Sequence, residues 1–304
     1  MANRIKEKYM AGKRYFDYPM LFLVIFLICF GLVMIYSTSS YKSTVTYGNS
    51  YHWLLRQAVA IVLGAVAMVV CCKLDYRIIK SEKFGNGCYW ASIVLLVLVL
   101  IIGAAKKGAV RWISIAGFQF QPSEVSKILV VIYLANRLSA NAHKIRTFKD
   151  SIVIVLPTVP IIALIVTQNL STALVVCSMI GVMLFVVSPR MKELILTAGG
   201  GIILLFVYLL TANSYRNERV QIWLHPESHK KGFQTMQALY AIGSGGIFGK
   251  GLGQSMQKMG FIPESHNDMI FSIICEELGL FGAVCLILVF VALIFRMLLI
   301  ALNT

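Results

Sequence analysis

The chain has 304 residues, of which 58% are hydrophobic and only 13% are charged, and its mean hydropathy is +0.78. A soluble domain of this length cannot bury so much apolar surface, so the composition excludes an ordinary soluble enzyme and predicts a polytopic membrane protein. The formal net charge is +15, and its distribution among the loops decides whether it indicates a nucleic acid partner.

Eight stretches are long and apolar enough to cross a hydrocarbon core, which requires about 20 residues. The predicted spans are 18–37, 53–72, 88–105, 122–138, 151–167, 170–187, 194–211 and 269–300. The predicted fold class is therefore an all-α polytopic membrane protein. We expect a single membrane domain, 1–304, with a large outer loop, 212–268, before the last span. The first segment has no small-x-small processing site, so we interpret it as a retained span and not as a signal peptide.

Lysine and arginine are concentrated in the loops on one side of these spans, and this bias marks the cytoplasmic side. Both termini are then cytoplasmic, and 38–52, 106–121 and 212–268 face outward. The net charge is thus mostly topological and requires no nucleic acid, although a basic inner surface favours anionic lipid. The outer segments still keep cations that the orientation rule does not require, and an anionic ligand would explain them. They are Lys106, Lys107, Arg111, Arg216, Arg219, Lys230, Lys231, Lys250 and Lys258.

The segment 106–128 places aromatic residues between charges and glycines, which is typical of a chain in the outer membrane interface. Pro122 then opens the fourth span. Glu124 and Lys127 are three residues apart and share a helix face, so we predict a structural ion pair that fixes this helix. Lys107 and Arg111, at the membrane rim, are candidate ligand contacts, and the residues alone leave that role open.

The stretch "YRNERVQIWLHP", residues 215–226, places Arg216 and Arg219 on one face if it is helical. Guanidinium groups suit phosphate because they stay charged and offer a planar fork of donors. The alternative is a positively charged face that pairs with Glu218 or Glu227, and both interpretations stay open.

A glycine-rich stretch, "GSGGIFGKG", lies in the same outer loop and superficially resembles a phosphate-binding loop. It does not fit the Walker A pattern, because Ser244 replaces the first glycine and Gly251 follows Lys250. Two interpretations remain: the glycines permit turns and close helix packing, or the backbone forms a cradle for some other phosphate.

The stretch "FIPESHNDMIF", residues 261–271, runs polar side chains directly into the last span. Asp268 is suited to a general base at the membrane surface, or to capping the helix that follows it. Further into the span, Glu276 and Glu277 must face the bundle interior or a polar partner, because an unpaired charge in hydrocarbon is costly.

Four stretches closely resemble the SEDS family (shape, elongation, division and sporulation), the proteins of the FtsW/RodA/SpoVE type. They are "GAVRWISIAGFQFQPSEVSKI", "YRNERVQIWLHP", "GFQTMQALYAIGSGGIFGKGLGQSMQK" and "FIPESHNDMIFSIICEELGLFG". The resemblance implies a peptidoglycan glycosyltransferase of the bacterial cytoplasmic membrane. Its implied substrate is lipid II, a disaccharide-pentapeptide on undecaprenyl diphosphate. Its implied partners are a class B penicillin-binding protein and other divisome or elongasome proteins.

The resemblance also implies roles for particular residues. The essential aspartate of the family's Pro-Glu-x-His-x-Asp motif falls on Asp268, which we expect to act as the catalytic base, with Glu264 and His266 as substrate contacts. The family's Glu/Lys pair before the fourth span falls on Glu124 and Lys127. Cations are expected to stabilise the diphosphate as it leaves, and a divalent cation (magnesium or manganese) could share that role. The candidates are Lys107, Arg111, Arg216 and Arg219.

Two departures from the family pattern bear on activity. The family has Gln-Pro-Asp-x-Gly-Thr-Ala where this chain has "QNLSTA", residues 168–173, so Asn169 stands in place of the aspartate. The family also has ten spans, and we expect the last two to be missing here. Two alternatives to a glycosyltransferase therefore stay open: a lipid II transporter (flippase), and a non-catalytic scaffold that recruits a transpeptidase.

Overall fold

The computed structural model describes residues 17–106, 109–115, 118–145, 148–187, 199, 221–229 and 232–303. Within these ranges the helices are α1 (Tyr18–Tyr47), α2 (His52–Lys73), α3 (Tyr76–Ile79), α4 (Glu82–Ile102), α5 (Pro122–Asn141), α6 (Phe148–Val155), α7 (Val159–Gln168), α8 (Leu170–Val187), α9 (Phe233–Ser244) and α10 (Ile270–Asn303). The strands are β1 (Ala104–Lys106), β2 (Ala109–Ile115) and β3 (Phe118–Phe120), and three short 3₁₀ turns cover Ala142–Lys144, Leu156–Thr158 and Pro226–Ser228.

Six helical stretches in the described part are long and apolar enough to cross a membrane. They are α1, α2, α4, Lys149–Gln168, α8 and α10. The predicted fourth span forms as α5, but Glu124, Lys127 and Arg137 make it more polar than those six. The predicted span 194–211 lies outside the described residues. The helical, polytopic membrane architecture is confirmed.

The first span is longer than predicted, and hydroxyl groups near its end donate hydrogen bonds back to carbonyls of the same helix. Thr38 and Thr44 each donate to a carbonyl four residues earlier, at 2.8 and 2.9 Å. The helix begins at an N-cap, Asp17, and ends at Gly48, whose φ of 67° is the left-handed conformation typical of a helix C-cap.

Prolines divide the predicted fifth span. Pro157 has no N–H to donate, and the chain forms a 3₁₀ turn there between α6 and α7. Asn169 is the single residue between α7 and α8. Its side-chain oxygen accepts from the N–H of Ser171 at 3.1 Å and caps α8.

A small antiparallel sheet occupies the segment that was predicted to lie in the membrane interface. Its order is β1-β2-β3, with Lys106 paired to Ala109 and Ile115 paired to Phe118. β-branched and aromatic residues alternate with smaller ones along 109–120, which favours strands. The otherwise helical chain therefore carries two hairpins before α5.

The chain divides into two compact units, 71–212 and 1–70 together with 213–304. The prediction of one membrane domain stays a prediction. In the 71–212 unit, α4, α5, α7 and α8 share one apolar core, whose fully buried side chains include Leu96, Leu134, Ile161 and Ile165.

In the other unit, α1 and α10 pack around Met34, Ile274 and Leu286. A second cluster joins α9 to α10 through Ala241 and Ile273, and Ile262 of the intervening loop completes it. The loop 245–269 is thus held between helices of its own unit.

The predicted span at 269–300 forms as α10, and this helix is broken at Gly279. This residue has φ 69° and ψ −170°, a conformation that is available to glycine and strained for other residues. The break leaves carbonyl groups before it and N–H groups after it without partners in the helix, and buried backbone groups require partners.

The glycine-rich loop supplies those partners. The N–H groups of Lys250 and Gly251 donate to the carbonyls of residues 276 and 277, each at 2.9 Å. On the other side of the break, the N–H groups of residues 280 and 281 donate to the carbonyls of Gly246 and Ile247, at 2.9 and 3.0 Å.

Two glycines make this approach possible. A Cβ atom on Gly249 would lie 2.2 Å from the carbonyl oxygen of Glu277, and one on Gly245 would lie 2.0 Å from that of Cys275. Close packing against α10, the first of the two interpretations, therefore describes this loop.

Candidate functional site

Two adjacent glutamates of α10, Glu276 and Glu277, are completely buried, each with 0% of its surface exposed. The carboxylate of Glu276 pairs with the ammonium of Lys250 at 2.7 Å. It also accepts from the Ser255 hydroxyl at 2.5 Å and from the backbone N–H of Met256 at 3.2 Å. These three donors all lie in the loop 245–269, and together they stabilise the buried carboxylate of Glu276.

Glu277 has a separate set of partners. Its carboxylate lies 2.7 Å from the ammonium of Lys258, which is itself only 5% exposed. The Ser37 hydroxyl of α1 donates to the same carboxylate at 2.7 Å and accepts from Lys258 at 3.0 Å. This set links α10, the loop and α1, and we call Ser37, Lys258 and Glu277 the anchor network.

These contacts confirm that the two glutamates have polar partners inside the protein. They also revise the interpretation of the outer cations. Lys250 and Lys258 were counted among the surplus charges that an anionic ligand would explain, but their partners are the carboxylates of α10. Sequence reasoning requires partners for the glutamates, but it does not identify these lysines or Ser37.

The segment from 258 to 268 is attached to α1 by two further hydrogen bonds. The ammonium of Lys42 donates to the carbonyl of Pro263 at 2.5 Å. The hydroxyl of Ser265 donates to the carbonyl of Thr38 at 3.1 Å. Neither Lys42 nor Ser37 was predicted to contribute, because the contacts join residues more than 200 positions apart.

His266 packs against Trp53 of α2, with their ring centroids 4.6 Å apart. Burial lowers the pKa of His266, and the nearby Lys42 lowers it further, while Glu264 and Asp268 act in the opposite direction. Its Nδ1 atom is buried and has no hydrogen-bond partner among the described residues. The ring therefore favours its neutral form and an ordered position.

Asp268 is exposed, in contrast to the anchored residues before it. The helix that follows begins at Ile270, and within the described part of the chain the Asp268 carboxylate accepts no hydrogen bond. The capping interpretation is therefore not supported. Among the described residues, Asp268 is an exposed carboxylate at the end of a firmly attached segment, an arrangement suited to reaction with a ligand.

An open cavity of about 590 Å³ lies along α1, next to the anchor network. Its walls combine apolar side chains with hydroxyl groups. They are Val33, Tyr36, Ser37, Ser40, Tyr41, Thr44, Val45, Leu252, Gly253, Lys258 and Met259.

The predicted pair of Glu124 and Lys127 forms within α5, with 2.7 Å between the charged atoms. It is less protected than expected, because 53% of the Glu124 side chain is exposed. Of the cations predicted to bind a diphosphate, Arg111 lies on β2, while Lys107, Arg216 and Arg219 fall outside the described residues.

The resemblance also led us to expect a divalent cation at this site. In the described part of the chain, no three His, Cys, Asp or Glu side chains converge in a way that would hold a metal ion. The expectation of a divalent cation stays a prediction.

The family of the chain follows from comparison with known proteins. A family model described as a cell cycle protein and named for FtsW, RodA and SpoVE matches residues 18–304. The chain belongs to the FtsW/RodA/SpoVE family. The resemblance seen in the four motifs is thus confirmed.

One relative in this family is the probable peptidoglycan glycosyltransferase FtsW of Geobacter metallireducens. The two sequences are 36% identical over 291 residues, covering 92% of this chain and 76% of that protein. The chain therefore spans about three quarters of the relative's length.

Solved structures of the FtsW/RodA/SpoVE family share the fold. A chain from a peptidoglycan synthase complex, studied for how it coordinates polymerization and crosslinking, matches with a TM-score of 0.75 at 27% identity. The match covers 96% of this chain and 80% of that one. The rod shape determining protein RodA of Thermus thermophilus matches with a TM-score of 0.66 at 27% identity, covering 95% and 76%.

Proposed function

We propose that this protein is a peptidoglycan glycosyltransferase that polymerises lipid II at the outer face of the bacterial cytoplasmic membrane. The family and the named relative support a membrane-bound glycosyltransferase of cell-wall synthesis. The observation that carries the proposal is the exposed carboxylate of Asp268 on a segment held by α1, α2 and α10.

The reaction joins two lipid-linked sugars. The 4-hydroxyl of the acceptor GlcNAc attacks C1 of the donor MurNAc with inversion, a new glycosidic bond forms, and undecaprenyl diphosphate leaves. Asp268 takes the proton of the attacking hydroxyl as general base. An exposed carboxylate on a rigid support is suited to this role because it must meet a substrate that arrives from outside the protein.

The leaving diphosphate carries a growing negative charge, which cations stabilise. We assign this role to Lys107, Arg111, Arg216 and Arg219, on the grounds of their charge and their predicted place on the outer side. Glu264 and His266 contact the substrate in this proposal, since both lie close to Asp268 in the motif.

The partner in this proposal is a class B penicillin-binding protein, which supplies the transpeptidase, together with other divisome or elongasome proteins. The structural likeness to a chain of a synthase complex that couples polymerization to crosslinking supports such a partner. The proposed orientation places both termini in the cytoplasm, in agreement with the distribution of lysine and arginine.

The test uses the purified protein with its transpeptidase partner, lipid II, and the variant Asp268→Asn. We expect the variant to make glycan strands about 10²–10⁴ times more slowly, the usual effect of removing a general base. Asn267→Ala, at an exposed neighbouring position, is the matched control and should polymerise like the wild type.

Polymerisation by Asp268→Asn at the wild-type rate would refute the assignment of the base. If no form polymerises but lipid II crosses the bilayer of liposomes that contain the protein, the protein is a transporter. If neither activity is present and the transpeptidase still binds, the protein is a scaffold.

A further inference from the structure

The buried ion pair of the anchor network has a large desolvation cost. An ion pair removed from water loses hydration that its own attraction only partly restores, so an apolar pair of similar volume is often equally or more stable. Lys258 and Glu277 are 5% and 0% exposed in an apolar helical region. Stability alone therefore does not account for this pair, which points to a role in setting geometry.

The geometry it sets is that of the segment leading to Asp268. Lys258 binds Glu277 and Ser37 at the start of this segment. Lys42 and Thr38 then hold the carbonyl of residue 263 and the hydroxyl of residue 265. The three contacts fall on neighbouring turns of α1, so they fix the segment in one register along that helix.

Apolar packing supports this attachment at one point. Ile262 is the one apolar side chain between 258 and 268 that is fully buried within the described structure, and it packs with Ala241 and Ile273. Along α1 the segment is held by directional polar contacts, which specify one position more strictly than non-directional apolar burial does.

We propose that Glu277, acting through Lys258 and Ser37, is a positioning residue for Asp268. This inference rests on the proposed glycosyl transfer. The anchor network holds the segment so that the exposed carboxylate of Asp268 lies within reach of the attacking hydroxyl. A misplacement of about 1 Å reduces a rate by roughly 10²-fold, so loss of the network slows turnover while the base itself is intact.

The test separates positioning from stability with a double variant. Lys258→Met with Glu277→Gln removes both charges and replaces each side chain by an uncharged one of similar size, so it leaves no unpaired buried charge. In the complex with the transpeptidase, we expect a thermal midpoint close to that of the wild type. We also expect a kcat lower by about 10- to 100-fold and faster deuterium uptake in the backbone of 259–268.

A second ion pair of the same unit is the matched control. Arg296 of α10 and Asp17, the N-cap of α1, are joined at 2.5 Å. The double variant Asp17→Asn with Arg296→Met removes a pair between the same two helices at a place remote in sequence from 259–268. It should leave both kcat and the deuterium uptake of that segment unchanged.

Ser37→Ala provides an independent variant that removes no charge. It cuts the link from the Lys258–Glu277 pair to α1, and we expect a several-fold lower kcat with faster uptake in 259–268. This variant decides the question if the double variant does not fold.

Wild-type kcat in the double variant, or in Ser37→Ala if that is the one that folds, would overturn the proposal. A lower kcat with unchanged uptake in 259–268 would overturn it as well, because the effect would then not pass through this segment. Deuterium uptake can be measured in a protein that does not polymerise lipid II. Absence of polymerisation by the wild type would therefore refute the proposed function, while the uptake experiment still tests the positioning.

Discussion

Two glutamate–lysine pairs have the same distance between their charged atoms and very different surroundings. Glu124 and Lys127 are neighbours on α5, 2.7 Å apart, with 53% of Glu124 exposed. Glu277 and Lys258 are also 2.7 Å apart, but they join α10 to a loop and are almost completely buried. Water screens the first pair and not the second, so equal distances correspond to unequal energies.

The two pairs also differ in how far the sequence predicts them. The first pair follows from a spacing of three residues on a helix. For the second, the sequence shows only that Glu277 requires a partner in the membrane. A helix surface has a regular geometry, whereas the path of a loop back to a helix depends on the whole fold.

The largest expected effect is a difference in unfolding free energy between two single variants, each of which removes the glutamate of one pair. Glu277→Gln leaves the ammonium of Lys258 buried without its charge partner, and we expect a loss of about 3–5 kcal/mol in unfolding free energy. Glu124→Gln should cost less than about 1 kcal/mol, because that pair is partly hydrated. Thermal or denaturant unfolding of both variants in one detergent measures the difference, and equal losses would show that burial does not distinguish the pairs.

The next effect concerns the backbone contact between α10 and the glycine-rich loop. Gly279→Ala places a side chain at φ 69° and brings its Cβ atom to 2.3 Å from the N atom of Gly249. The backbone strain alone is worth about 1–3 kcal/mol. Gly31→Ala is the control, since no atom lies within 4 Å of its Cβ position and alanine favours a helix by about 1 kcal/mol. A thermal midpoint for Gly279→Ala equal to that of Gly31→Ala would contradict the described break.

A smaller effect is expected for a local contact in the other unit. Asn169→Ala removes the cap of α8 and should lower stability by about 1 kcal/mol. Asn169→Asp should keep the cap, because a carboxylate also accepts from the N–H of Ser171 and suits a helix N-terminus. Unfolding midpoints of the two variants provide the measurement, and a cap role is wrong if both lose the same amount.

The smallest effect is a dependence on pH at His266. Its pKa is lowered in the folded protein, so the unfolded chain binds the proton more readily and stability rises with pH. The contribution is complete above the ordinary pKa of about 6.5 and is lost as the pH falls below that value. Thermal midpoints of the wild type and His266→Gln from about pH 8 down to about pH 5 provide the test. The wild type should lose more, and parallel curves would exclude the shift.

Much of the fold follows from periodicity and turn chemistry. The apolar runs predicted the helices that cross the membrane, and the 122–138 span begins at Pro122 as expected. The strands at 104–120 were missed, since short alternation next to glycines resembles an interfacial segment. The division of the fifth span was also missed, although Pro157 has no N–H to donate and therefore interrupts a helix.

The site was predictable only in part. The motif singled out Asp268 and His266, and the charge of Glu276 and Glu277 required internal partners. Trp53, Ser37 and Lys42 could not be found in this way, because each reaches the loop from a helix far away in the sequence. The break at Gly279 was hidden by the continuous apolar character of 269–300, since glycine is compatible with a helix as well as with a turn.

The break at Gly279 has a consequence for how the chain enters the membrane. On its own, α10 would expose the carbonyls of residues 276 and 277 and the N–H groups of residues 280 and 281 to hydrocarbon, at several kcal/mol for each unsatisfied group. The loop that satisfies them precedes α10 in the chain, so it is synthesised first. We expect the broken form of α10 to be stable in hydrocarbon only when this loop is docked against it.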